Sequence, residues 1–170
     1  MEVVWQRLDT GLRIVMPAAI ALLMTLLSVV IWPLPYLGPV MPPLAFIALY
    51  YWTTHRPDLF PSGVAFLIGL LNDIINGLPI GISAFLFTVA HQIILHQRRV
   101  FAGHSFWMLW SGFALAAGLL MIAEWILISV VRWQLSPFFP VLVQTVLAII
   151  VFPLPCWILI RLQRAALSAG

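Results

Sequence analysis

Six apolar runs occupy most of this chain, at about 15 to 33, 40 to 54, 62 to 76, 80 to 96, 106 to 131 and 139 to 160, and several can cross a bilayer. Backbone inside hydrocarbon finds no water, so every N–H and C=O must be satisfied within the protein, which the α-helix does locally. Composition agrees: 64% of residues are hydrophobic and 8% charged, with a mean hydropathy of +1.11. So few charges cannot coat a soluble domain. The expectation is an all-α integral membrane protein, residues 1–170 forming a single domain of six transmembrane helices. Residues 1–14 are expected to be a cytoplasmic or interfacial segment, either a short surface helix with Trp5, Leu8 and Leu12 on one face or a frayed tail. No cleavage pattern of small residues follows it, so no signal peptide is read. Runs two and three are short for a span, and require local thinning of the bilayer or burial against longer neighbours.

The net charge of +3 comes from arginine alone, spread along predicted membrane edges rather than gathered in a patch, which argues against nucleic acid as a partner. Positively charged loops are retained in the cytoplasm. With the N-terminus inside, Arg7, Arg13, Arg56, Arg98, Arg99, Arg161 and Arg164 fall on the cytoplasmic side and only Arg132 faces out. An even number of crossings follows, with both termini cytoplasmic.

Asp73 stands inside the third run. Gly69, Asn72, Asp73 and Asn76 follow i, i+3, i+4, i+7 spacing and make one polar stripe that must face protein or water. Counted from Pro61 at ~1.5 Å per residue, Asp73 lies ~18 Å up, in the outer half of the membrane near a helix C-terminus. Glu124 and Gln144 reach a similar level; His91 sits deeper toward the cytoplasm. Ala65, Gly69 and Asp73 repeat every fourth residue, and the two small ones admit another helix closely. A helix C-terminus disfavours a carboxylate, so Asp73 needs a partner or a proton. Arg132 is the first candidate; Asn76, the backbone of the NGLPIG turn and Glu124 are the others. Two readings stay open for Asp73: a buried tie between helices, which is favoured, and a pocket or partner site.

Glu124 is expected to reach up to the interface. His91 and Gln92 can bond across helices, and no metal-ligand spacing links the histidines. Trp5, Trp52, Trp107, Trp110, Trp125, Trp133 and Trp157 mostly fall near predicted ends, as a headgroup belt. Cys156 has no partner cysteine and is read as packing. Ser83 and His91 are about 12 Å apart along one helix, too far for a nucleophile and its base. No phosphate loop or cofactor motif is present, so no enzyme is expected.

The run YYWTTHRPDLFPSGVAFLIGLLNDIINGLPIGISAF carries Tyr51, Trp52 and Pro57, then Gly69, Asp73, Gly77 and Gly81 in a G-x-x-x-D-x-x-x-G-x-x-x-G pattern. It resembles the MreD family of bacterial rod-shape-determining membrane proteins. The ending FPLPCWILIRLQRA is similar to that family's last helix, and the likeness covers nearly the whole chain. One departure is that the family's Arg-Pro pair at the second segment is replaced by Val40, Met41, Pro42 and Pro43.

The resemblance implies a non-enzymatic, cofactor-free component of the cell-wall elongation complex in the bacterial inner membrane. It implies binding to MreC, and a link between MreB and the wall polymerase and transpeptidase. Membrane lipid and a second copy of the chain are further candidate partners. The family is also similar in fold to the substrate-binding subunits of energy-coupling-factor transporters, which supplies the alternative function, a vitamin transporter subunit. Ala21 and Thr25 are only an incomplete match to the docking residues of such subunits, and the short outer loops offer little for a lid. Gly69, Asn72, Asp73, Asn76, Gly77, Gly81, Glu124, Arg132 and Gln144 are the candidate outer-half or partner-binding cluster. Asp73→Asn is expected to be milder than Asp73→Leu.

Overall fold

The computed structural model describes residues 16–28, 42–101 and 106–168, and among these every regular element is helical. Helix α1 is Met16–Leu27, α2 Leu44–His55, α3 Ser62–Asn76, α4 Ile82–Phe101, α5 Phe106–Arg132, α6 Phe139–Val151 and α7 Pro153–Ser168. A short 3-10 turn, Pro57–Leu59, joins α2 to α3. By length and composition α5 can cross a membrane, and α6 with α7 passes the same test as one pair bent by 40°. Helices α1 and α3 are shorter apolar helices. The N-terminal surface segment expected at 1–14 lies outside the described residues.

Helix α2 has no polar face to show, and it takes the centre: every residue from Ala45 to Thr53 is buried. Its shortness is thus met by burial against its neighbours. Around it gathers an aromatic core. The rings of Phe113 and Phe152 stack with centroids 4.1 Å apart, and Tyr50 meets them edge-on at 5.3 and 5.9 Å. The Tyr50 hydroxyl donates to the Leu109 carbonyl at 3.1 Å, so this buried phenol is satisfied. Large apolar side chains such as Leu67, Leu119 and Ile150 point outward, as lipid-facing positions do.

The run at 139–160, expected as one helix, breaks at Phe152 instead. Proline explains the break, because Pro153 has no N–H to give the Ile149 carbonyl one turn earlier. That orphaned carbonyl is taken by Trp110, whose Nε1 donates to it at 3.0 Å. Trp125 likewise donates to the Ser136 carbonyl at 2.9 Å. The tryptophan belt is therefore corrected in part. Trp107, Trp133 and Trp157 are exposed near helix ends, whereas Trp52 is buried and packs edge-on against Tyr51. Trp5 lies outside the described residues.

Trp110→Phe keeps the ring and removes the donor, leaving the Ile149 carbonyl unsatisfied. It is expected to lower stability in detergent by about 1–3 kcal/mol. Trp107→Phe, at a side chain 71% exposed, is expected to change it by less than about 0.5 kcal/mol. Thermal unfolding of the two variants checks this.

Candidate functional site

The site begins where α3 turns into α4. Helix α3 ends with Gly77 in the left-handed conformation, φ 63°. There the Leu78 N–H reaches the Asp73 carbonyl at 2.9 Å and the Gly77 N–H reaches Ile74 at 3.4 Å, the paired bonds of a Schellman ending. Gly81, at φ 104°, then aims the chain back alongside α3. Both angles lie where a Cβ is strained.

Asp73 is fully buried, and its carboxylate faces the first turn of α4. Oδ2 accepts the Gly81 N–H at 2.8 Å and, more distantly, the Ala84 N–H at 3.5 Å. Oδ1 accepts the Ser83 N–H at 2.9 Å. A helix leaves its first four N–H groups without partners. Here Ile82 bonds the Pro79 carbonyl and Phe85 the Gly81 carbonyl, and Asp73 covers the two between. Gly81 has no side chain to cap α4, so the preceding helix supplies the cap. The partial positive charge of the α4 N-terminus also favours a carboxylate there, which offsets the α3 C-terminus.

Gly69 makes this reachable. A Cβ at that position would lie 2.6 Å from the Ala84 Cα and the Ser83 carbonyl oxygen, so any side chain would push α4 off the carboxylate. The close approach expected from Ala65, Gly69 and Asp73 is made by α4, with both Ala65 and Asp73 fully buried. The first-choice partner for Asp73, Arg132, is corrected. Its guanidinium donates to the Gly77 carbonyl at 3.3 Å and forms no ion pair with Asp73. Of the alternatives, the turn backbone is the donor, through Gly81. Asn76 instead bonds Asn72, at 2.9 Å to its carbonyl and 3.0 Å to its side-chain oxygen.

From the same turn of α4, Ser83 extends the network. Its hydroxyl accepts from the Asn72 amide at 3.2 Å and donates to Glu124 Oε1 at 3.3 Å. Glu124 is thus turned inward toward α4, correcting the expectation that it reaches for the interface. Ser83 was missed as a site residue, although a serine two residues after the turn glycine, in a first helical turn, is a legible signal. Glu124 opens on a cavity of about 370 Å³ whose wall also holds Asn72, Asn76, Arg132 and Gln144. Of the nine candidates, these five line the cavity, while Gly69, Asp73, Gly77 and Gly81 build the junction beneath it. His91 stands apart: its Nε2 donates to the Phe60 carbonyl at 2.9 Å, a tie across helices. No group of three or more metal-ligating side chains occurs among the described residues.

A family model described as rod shape-determining protein MreD matches residues 9–163. No curated protein and no solved structure matches.

Both Asp73 oxygens accept N–H groups, and an asparagine would turn an NH₂ toward one of those donors. Asp73→Asn is therefore expected to be damaging too, costing about 1–3 kcal/mol, and Asp73→Leu more, because all the donors lose their acceptor. Gly69→Ala is expected to cost about 1–3 kcal/mol through overpacking. Thermal unfolding in detergent checks all three, and wild-type stability of Gly69→Ala would contradict the close approach.

Proposed function

Because the chain belongs to the MreD family of rod shape-determining proteins, we propose that it is a non-enzymatic scaffold of the cell-wall elongation complex that binds MreC. It is a membrane protein of the shape-determining system, and the match over residues 9–163 is the observation that carries the reading. In this reading it crosses the bacterial inner membrane six times, with α6 and α7 as one broken span and both termini cytoplasmic. The bias of the arginines supports that orientation, which turns the cavity and Arg132 to the periplasmic side.

The cavity rim is the surface we assign to partner contact: Asn76, Glu124, Arg132 and Gln144, held by the junction of Gly69, Asp73, Gly77 and Gly81. MreC is the direct partner, and through it MreB filaments and the wall polymerase and transpeptidase are linked. In the alternative, a substrate-binding subunit with the fold of energy-coupling-factor transporters, Ala21 and Thr25 would be displayed for docking. Both are instead buried against the bundle, with Thr25 Oγ1 bonded to the Ala21 carbonyl at 2.7 Å, which favours the scaffold.

Purification from the native membrane in mild detergent, with mass spectrometry of what is retained, is expected to recover MreC together with wall-synthesis enzymes. Recovery of ATPase subunits or of a bound vitamin, without MreC, would contradict the scaffold.

A further inference from the structure

Glu124 differs from Asp73 in having spare capacity. Its Oε1 takes one bond, from Ser83 at 3.3 Å, and among the described residues its second oxygen takes none and it has no ion pair. A carboxylate within a membrane-spanning helix calls for a counter-charge. Among the described residues, Arg132 is the one cationic side chain in the cavity wall. It follows Glu124 by eight residues, about 12 Å along α5, and its guanidinium is turned to the Gly77 carbonyl. Residues 29–41, between the cavity-lining Ser28 and Pro42, contain no charged residue. Among the described residues, His55, Arg56, His91, His96 and Arg161 are not part of that wall. The remaining wall combines the neutral polar Ser28, Asn72, Asn76, Ser136 and Gln144 with an apolar and aromatic part that includes Phe87, Met121, Trp125, Ile128 and Val141. The Trp125 N–H is already engaged by the Ser136 carbonyl, so its ring serves the cavity as surface.

We propose that this cavity binds an organic cation, an ammonium or guanidinium group on an apolar stem, with Glu124 as its counter-ion and Trp125 and Phe87 as aromatic walls. A cavity of about 370 Å³ suits such a group, and aromatic faces attract cations. The same chemistry has two sources: a lysine or arginine side chain of a membrane partner, or a free amine. The proposal stands on Glu124 and the cavity and does not depend on the MreC reading.

The test titrates the detergent-purified protein with n-butylammonium, n-butylguanidinium and n-butanol by calorimetry. Both cations are expected to saturate one site, butanol is not, and Glu124→Gln is expected to weaken the cations at least tenfold. Ile128→Trp fills the cavity without removing the carboxylate and is expected to weaken them as well, which covers the case of a Glu124 variant that does not fold. Butanol binding equal to that of the cations, or cation binding unchanged in both variants, overturns the proposal. Arg132→Gln is expected to leave affinity within a few-fold; a tenfold gain would mean that Arg132 itself fills the site, and overturns an external ligand. In cells, a photo-crosslinking benzoylphenylalanine at position 144 that captures a protein through a basic residue assigns the cation to a partner. A small-amine adduct in native mass spectrometry assigns it to a metabolite, and absence of both overturns the proposal.

Discussion

The arrangement depends on one constraint: the first turn of α4 begins inside an apolar bundle, where its free N–H groups have no water to meet. Asp73 answers it with both carboxylate oxygens, bonded to Gly81 and Ser83 at 2.8 and 2.9 Å. Each unsatisfied buried donor would cost about 1–3 kcal/mol, comparable to the insertion penalty of the aspartate, so the two problems cancel in one contact. The spacing G-x-x-x-D-x-x-x-G-x-x-x-G then has a separate reason at each place. Gly69 leaves room for the α4 backbone, Asp73 caps it, Gly77 closes α3, and Gly81 turns the chain at φ 104°.

Fixing the start of α4 also fixes Ser83, and through Ser83 the side chains of Asn72 and Glu124. The cavity wall is therefore anchored on helical elements rather than on a loop, which keeps a polar site in register. A parallel ending of α5 completes the rim. Trp133 takes the left-handed position that a glycine fills in α3, at φ 51°, with the Gln134 N–H reaching the Ser129 carbonyl at 3.3 Å. Arg132, one residue before, reaches across to the Gly77 carbonyl. The two helix endings are thus tied to each other at one end of the bundle.

Much of this was legible in the sequence, because hydropathy and punctuation by glycine and proline are local signals. The span of α3 and the start of α5 follow from them, as does the seam of Ala65, Gly69 and Asp73. What escaped was pairing. Asp73 was matched to the one outer cation, on the rule that charge seeks charge, but a helix N-terminus is also positive and carries no letter of its own. Glu124 was sent outward for want of a visible partner, since Ser83 is forty-one residues away in sequence. The break at Phe152 was readable from Pro153, and the satisfaction of Ile149 by Trp110 was not, being a contact between distant segments. Trp52 was misplaced because position near a helix end says nothing about which face is buried.

The central claim is that the Asp73 carboxylate holds the first turn of α4, and amide hydrogen exchange of the detergent-solubilised protein tests it most directly. First-turn amides without caps exchange quickly, whereas internally bonded ones exchange only on opening. The Gly81 and Ser83 amides are expected to be protected as well as those in the middle of α4, and in Asp73→Asn this protection is expected to disappear at whichever of the two meets the NH₂. Fast exchange at both amides in the wild-type protein, or protection unchanged in the variant, would contradict the claim.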